Sequence, residues 1–344
     1  MVTVDADAHV IEGDSTWAYL PEDDKRFKPR ILVQIESGNT DAATEKWWMF
    51  DSNFTPAHLV VNEVDIAVES RELTSVAHRL AHMDELDIDV QVLYPTIFLN
   101  PCFDDAAGEL ALYRAYNRWM ADIWKQAPNR LRWAAAIPLN SMHKVREEIA
   151  FCKEHGAVSI FLRPYECERV VFDPFFYPLY EFAQKFDLAI TIHSGIGSAN
   201  LKRILLPHFF SIFRASLVNC FHAIVLSELP KKFPGVRWGI IEGRAGWLPW
   251  IVSDLQKRFH KQGKRIGPDL LKDNNIFVTL ELEDDLSEII KCVGDDNLII
   301  GTDYGHCDTS AEIEALRILA ENGKVPKSSV DKILGPNAER LYKI

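Results

Sequence analysis

The chain has 344 residues, 47% of them hydrophobic and 11% aromatic, enough to bury one large core. Its 38 Lys and Arg face 50 Asp and Glu, a formal net charge of −12, and no basic block tracks phosphates, which argues against nucleic acid as a partner. The longest apolar runs, such as "WAAAIP" and "LAITI", are strand-length, too short to span a membrane.

In chain order the first expected element is the strand "VTVDADA" (2–8), continuing into "HVIEG". Side chains alternate along a strand, so Val4, Ala6, Ala8 and Val10 share one face while Asp7 and His9 share the other. Asp5 is expected one layer below Asp7, where it needs a partner. Residues 14–70 follow, far longer than an ordinary βα loop and containing "KWWMFDSNF". This insertion is expected to form a lid or small subdomain over a barrel mouth, or else to pack on the barrel's side or on a second subunit. After the helical "LTSVAHRLAHMDELD" come strands at 90–95, 131–138, 157–162, 188–193, 236–242, 276–281 and 297–303. Helical spacing separates them, as in "DPFFYPLYEFAQKF" and "SAEIEALRILAENG", and a helix pair is expected in 194–235. Eight near-continuous apolar strands alternating with helices predict an α/β fold, a (β/α)8 TIM barrel, as one domain over 1–344.

In such a barrel the loops after the strands converge on one cavity. At that rim the sequence sets Asp7 and His9 (strand one), Arg163 (four), His193 (five), Glu242 (six), Glu281 (seven) and Asp303 (eight), with His306 three residues on. A single strand-end Asp is an ordinary helix cap. Asp7, His9, His193, Glu242, Asp303 and His306 gathered at one rim are instead expected to hold metal. His222, inside the helical "NCFHAIVLSEL", either touches that site, supports it or bonds a backbone carbonyl. Arg163, Arg244 and Arg71 could hold a substrate carboxylate through paired N–H groups or form surface ion pairs. Trp47, with Trp48, Phe50 and Phe54, could cover a substrate or form the insertion's own core.

The motifs "DADAH", "TIHSG", "KKFPGVRWGIIEGRAGWLPW", "IIGTDYGH" and "ILGPNAERLYKI" together resemble the amidohydrolase superfamily, in the branch typified by aminocarboxymuconate semialdehyde decarboxylase. Only residues 14–70 lie outside the resemblance. It implies a distorted barrel with a mononuclear site on Asp7, His9, His193 and Asp303, holding Zn2+ or Mn2+. It also implies cleavage of a C–C or C–N bond, by hydrolysis or decarboxylation, in a small aromatic or unsaturated carboxylate.

One departure matters. Where those decarboxylases carry His-Gly-Gly, this chain has Glu242 in "IIEGRAG". Either Glu242 is a general base toward metal-bound water, with Asp303, His306 and His222 serving catalysis beside it. Or Glu242 and His306, with His222 as a further donor, hold a second ion in a dinuclear Fe or Mn centre that activates dioxygen. A catalytically inert subunit beside an active paralogue is a third reading, against which the full donor set argues. A small-molecule substrate and a homodimer or higher oligomer are expected, with 204–230 and the insertion as surfaces. No motif for an organic cofactor occurs. Six scattered cysteines without a C-x-x-C pair, and no signal-like start, make the cytoplasm the expected location.

Overall fold

Apolar segments that are buried on both faces can only sit between a packed interior and a layer of helices, and the computed structural model shows that arrangement. It describes residues 2–34, 45–50, 53–56, 66–99, 103, 105–205, 210–306 and 310–344. The main sheet has eight strands in strict chain order: β1 (Val4–Val10), β2 (Val90–Pro95), β3 (Leu131–Ala136), β4 (Ala157–Leu162), β5 (Ala189–His193), β6 (Trp238–Ile241), β7 (Ile276–Leu280) and β8 (Leu298–Ile300). Every neighbouring pair is parallel. The sheet then closes: Ala8 bridges Tyr304, His9 N–H donates to Tyr304 O at 2.8 Å, and Asp303 N–H donates to Asp7 O at 2.9 Å. This is the (β/α)8 barrel, with each expected strand present and only its ends shifted.

Closure leaves no room at the seam. A Cβ on Gly301 would stand 2.3 Å from the Cβ of Asp7, so glycine is the residue that lets β8 meet β1 here. Below the rim, Asp5 finds the partners it needs. Its carboxylate accepts from Gln91 Nε2 (2.9 Å), Thr302 N (2.9 Å) and Thr302 Oγ1 (2.6 Å). Burial nevertheless pushes its pKa up to about 6.

The covering helices start where the sequence offers caps. Ser75 accepts from His78 N ahead of Val76–Glu85, Asp105 from Ala107 N ahead of Ala106–Gln126, and Asp285 from Glu288 N ahead of Leu286–Val293. The expected helix "SAEIEALRILAENG" is shorter, Ala315–Ala320. Its beginning is tied elsewhere: Glu312 N–H donates to Thr302 O, and Glu314 N–H to Glu312 Oε1. The segment after β5 forms Ala199–Leu205, a π turn Ser211–Ala215, Ser216–Leu226 and the short Leu229–Lys232. Among the described residues no helix is long and apolar enough to cross a membrane.

The insertion leaves β1 through the helix Asp14–Trp17 and a 3-10 turn Glu22–Phe27. This part lies on the barrel's flank. Tyr19 Oη donates to Asp122, and the Phe27 ring fills the space where a Gly108 Cβ would point. A three-stranded antiparallel sheet follows (Arg30–Gln34, Glu45–Phe50, Asn53–Pro56), with Trp47 and Trp48 half-buried in its middle strand. The chain returns through Val68–Arg71, where Arg71 O accepts from Ile11 N at 3.0 Å. Expectations resting on the side chains of Phe50 and Phe54 fall outside the described residues.

Candidate metal centre

Strand alternation carries Asp7 and His9 inward from β1, β5 ends on His193, and the turn after β8 delivers Asp303 and His306. All five are buried. His9 Nε2 is the hub, 3.1 Å from His193 Nε2, 3.3 Å from Asp303 Oδ1 and 3.6 Å from Asp7 Oδ1. His193 Nε2 also lies 3.3 Å from Asp7 Oδ1. Ligands held about 2.0–2.2 Å from one ion stand about 3–3.5 Å from each other, the spacing of this set. Two overlapping groups have metal-binding geometry: Asp7, His9 and His193, and His9, Asp303 and His306.

The protons are arranged to match. His9 Nδ1 lies 3.2 Å from Pro95 O, and His193 Nδ1 lies 3.0 Å from Ser194 O and 3.2 Å from Glu242 Oε2. Carbonyl and carboxylate oxygens only accept, so both rings carry hydrogen on Nδ1 and present the Nε2 lone pair to the cluster. Burial, with His306 and His193 close by, pushes His9 well below the usual imidazole range and keeps it neutral. Burial also pulls on His193, but Asp7 and Glu242 outweigh it and its pKa is raised. Asp7, His9 and His193 form one candidate N,O donor set for a divalent cation, and Asp303 adds a carboxylate 3.3 Å from the shared His9 Nε2.

Comparison with known proteins agrees with this chemistry. The family model described as amidohydrolase matches residues 4–344. The chain belongs to the amidohydrolase family. Among curated proteins no match is found. Solved structures share the fold. An amidohydrolase from Mycobacterium avium subsp. paratuberculosis K-10 superposes with TM-score 0.78 at 19% identity, covering 99% of both chains. The 5-carboxyvanillate decarboxylase LigW from Sphingomonas paucimobilis gives 0.71 at 17%, covering 100% of this chain and 99% of its own. A 5-carboxyvanillate decarboxylase from Novosphingobium aromaticivorans DSM 12444, complexed with manganese and 4-hydroxy-3-methoxy-5-nitrobenzoic acid, gives 0.71 at 16%, with coverages of 100% and 96%.

The remaining expected site residues of this amidohydrolase are placed unevenly. Glu242 reaches the cluster from behind, accepting from Ser194 Oγ and facing the Nδ1 side of His193. Neither described donor group includes it. Its backbone φ of 58°, like the 52° of Asp303, is left-handed, so each strand end turns sharply to aim its carboxylate. His222 is elsewhere: its Nε2 pairs with Asp254 Oδ2 at 2.9 Å. His222 and Arg244 line a groove of about 910 Å3 with Trp247 and Trp250, which no metal donor lines. Arg244 is tied to Glu281 and Glu283. Arg163 is buried and bonded to both Glu166 oxygens and to Phe98 O.

Four contributors went unnoticed in the sequence. Buried Arg79 donates to His9 O (3.1 Å), Ser70 O (3.2 Å) and Gln91 Oε1 (2.7 Å), and its guanidinium stacks 3.6 Å from the Tyr304 ring centroid. It fixes the carbonyl of the hub histidine. Ser194 supports Glu242, Thr96 meets His306, and Glu12 holds the backbone of Thr96. Thr96 directly follows β2 and Glu12 stands two residues past β1, so a strand-end rule widened by one residue would have reached both.

Proposed function

We propose that this amidohydrolase is a metal-dependent carboxy-lyase that removes CO2 from a small aromatic or unsaturated carboxylate. The observation that carries the reading is the convergence of Asp7, His9 and His193, with Asp303 3.3 Å from the same His9 Nε2, each of the two imidazoles of this set showing its lone pair inward. Similarity in fold to two 5-carboxyvanillate decarboxylases, one holding manganese, favours C–C over C–N cleavage and Mn2+ beside Zn2+. A divalent cation here would supply a Lewis acid that neutralises charge on a substrate oxygen.

The chain's own residues do the rest. Asp7 and Asp303 set the charge of the pocket, while Pro95 O, Ser194 O and Glu242 hold the imidazoles in register. When the C–C bond breaks, its electron pair stays on the substrate carbon, which must take up a proton as CO2 leaves. Asp303 and His306, 2.7 Å apart, can keep a proton between Oδ1 and Nδ1 and are the donor in this reading. The insertion, with Trp47 half-buried in its sheet, is the proposed cover over the mouth.

The second group of His9, Asp303 and His306 supports one alternative, a dinuclear Fe or Mn centre for oxygen chemistry. Metal analysis of protein purified without chelator, with CO2 release from a panel of hydroxybenzoates and unsaturated diacids, decides. One Mn or Zn per chain with CO2 release confirms the lyase. Two ions including Fe with oxygen uptake replace it by the oxygenase, and no ion at all overturns both.

A further inference from the structure

His306 Nε2 lies 2.9 Å from the Thr96 hydroxyl. That hydroxyl lies 2.8 Å from the carbonyl oxygen of Val10, which can only accept, so its single proton goes to Val10. What Thr96 then shows to His306 is a lone pair, and the imidazole must bring the hydrogen. Nε2 is therefore the protonated nitrogen. The other, Nδ1, faces Asp303 Oδ1 at 2.7 Å, a separation at which a proton or a cation has to lie between two lone pairs.

We propose that Thr96 is a positioning residue that pins His306 with hydrogen on Nε2, leaving Nδ1 as the one ring atom that exchanges a proton or a lone pair with Asp303 and the metal centre. The inference rests on the metal-centre reading above and gives His306 a single working face. Three observations show a built arrangement. Thr96 and His306 are both buried. The loop carrying Thr96 is clamped from the end of β1, where Glu12 accepts from Thr96 N at 3.1 Å and Ile97 N at 3.0 Å. The His306 ring stacks on His9 with centroids 3.9 Å apart and planes at 25°. Turning the ring over would set carbon against both Thr96 and Asp303, so neither rotation nor tautomer exchange is free.

The pin makes His306 the counterpart of His9 and His193. Those rings are held by backbone oxygens on Nδ1 and work through Nε2, whereas His306 is held on Nε2 and works through Nδ1.

The test is nitrogen NMR on 15N-histidine-labelled protein, zinc-loaded and chelator-treated, with His306 assigned by difference against His306→Gln. Metal affinity is read in parallel by competition with a chromophoric chelator. In the wild type Nε2 of His306 is expected to be protonated in both states. Thr96→Val should release that proton to exchange between the nitrogens and weaken metal binding about 10–100-fold. Thr96→Ser should restore both to near wild type. A wild-type His306 protonated on Nδ1 alone overturns the proposal, as does Thr96→Val with an unchanged nitrogen spectrum and affinity. Should Thr96→Val not fold, Thr96→Ala makes the same deletion, and the wild-type spectrum decides the tautomer by itself. A wild type that binds no zinc but keeps hydrogen on Nε2 upholds the pin and sinks only the metal reading.

Discussion

Glu242 Oε2 lies 3.2 Å from Nδ1 of His193, the ring nitrogen turned away from Asp7 and His9. A carboxylate in that place raises the basicity of a ligating imidazole and fixes its tautomer. The glutamate at the end of β6 thus faces the outer nitrogen of His193, from which it can act on the centre through that ring.

Replacing Glu242 by Gln keeps an acceptor for Ser194 but removes the charge. The protein should still take up one ion per chain, with affinity weakened about 10–100-fold and turnover lost. Titrating metal into Glu242→Gln and counting bound ions checks this. A fall from two ions to one would instead make Glu242 a ligand.

Asp303 and His193 both lie within 3.3 Å of the same nitrogen of His9, so losing either opens the set from a different wall of the barrel. Asp303→Asn and His193→Ala should each abolish turnover and lower metal content. Elemental analysis of the purified variants measures it. Full occupancy in both would place the ion elsewhere.

Gly301 links the fold to the site. A methyl group there would enter to 2.3 Å from the Asp7 Cβ, and overpacking of this kind costs about 1–3 kcal/mol. Gly301→Ala should lower the unfolding midpoint and, because Asp7 is what must move, also the metal content. A variant that loses stability but binds metal normally would show that the seam relaxes through β8.

The barrel was legible because parallel strands buried on both faces write themselves as uninterrupted apolar runs, "AVSIFL" and "LAITI" among them. The candidate donors were legible because they lie in or just after the last part of such runs. Less could be read of what the far sides of the histidines touch. Pro95 O and Ser194 O are backbone atoms with no residue signature, and Thr96 and Arg79 meet β1 only after closure of the fold. A rim arginine free to meet a substrate and an arginine bonded to Glu166 three residues on look alike in sequence until the turn is formed. His222 sat on a helix whose partner, Asp254, belongs to another helix 32 residues away.

Glu109 offers a test of the interior that does not involve the metal. It lies buried in the first turn of the helix Ala106–Gln126 and accepts from Asn140 N at 2.8 Å. Burial, aided by Glu166 and opposed by Arg163, pushes its pKa up to about 8 from a usual value near 4.5. Between those values the native chain holds a proton that the unfolded chain has released. The stability tied to this proton is therefore complete below about pH 4.5 and is lost as pH rises through about 8. Glu109→Gln keeps the acceptor for Asn140 but cannot ionise. Relative to wild type it should gain stability on going from pH 6 to pH 9, by an amount on the order of a few kcal/mol. Urea unfolding of both proteins at the two pH values measures the gap. A gap that stays constant would mean that Glu109 is already ionised at pH 6 and that the Arg163 charge, not burial, governs it.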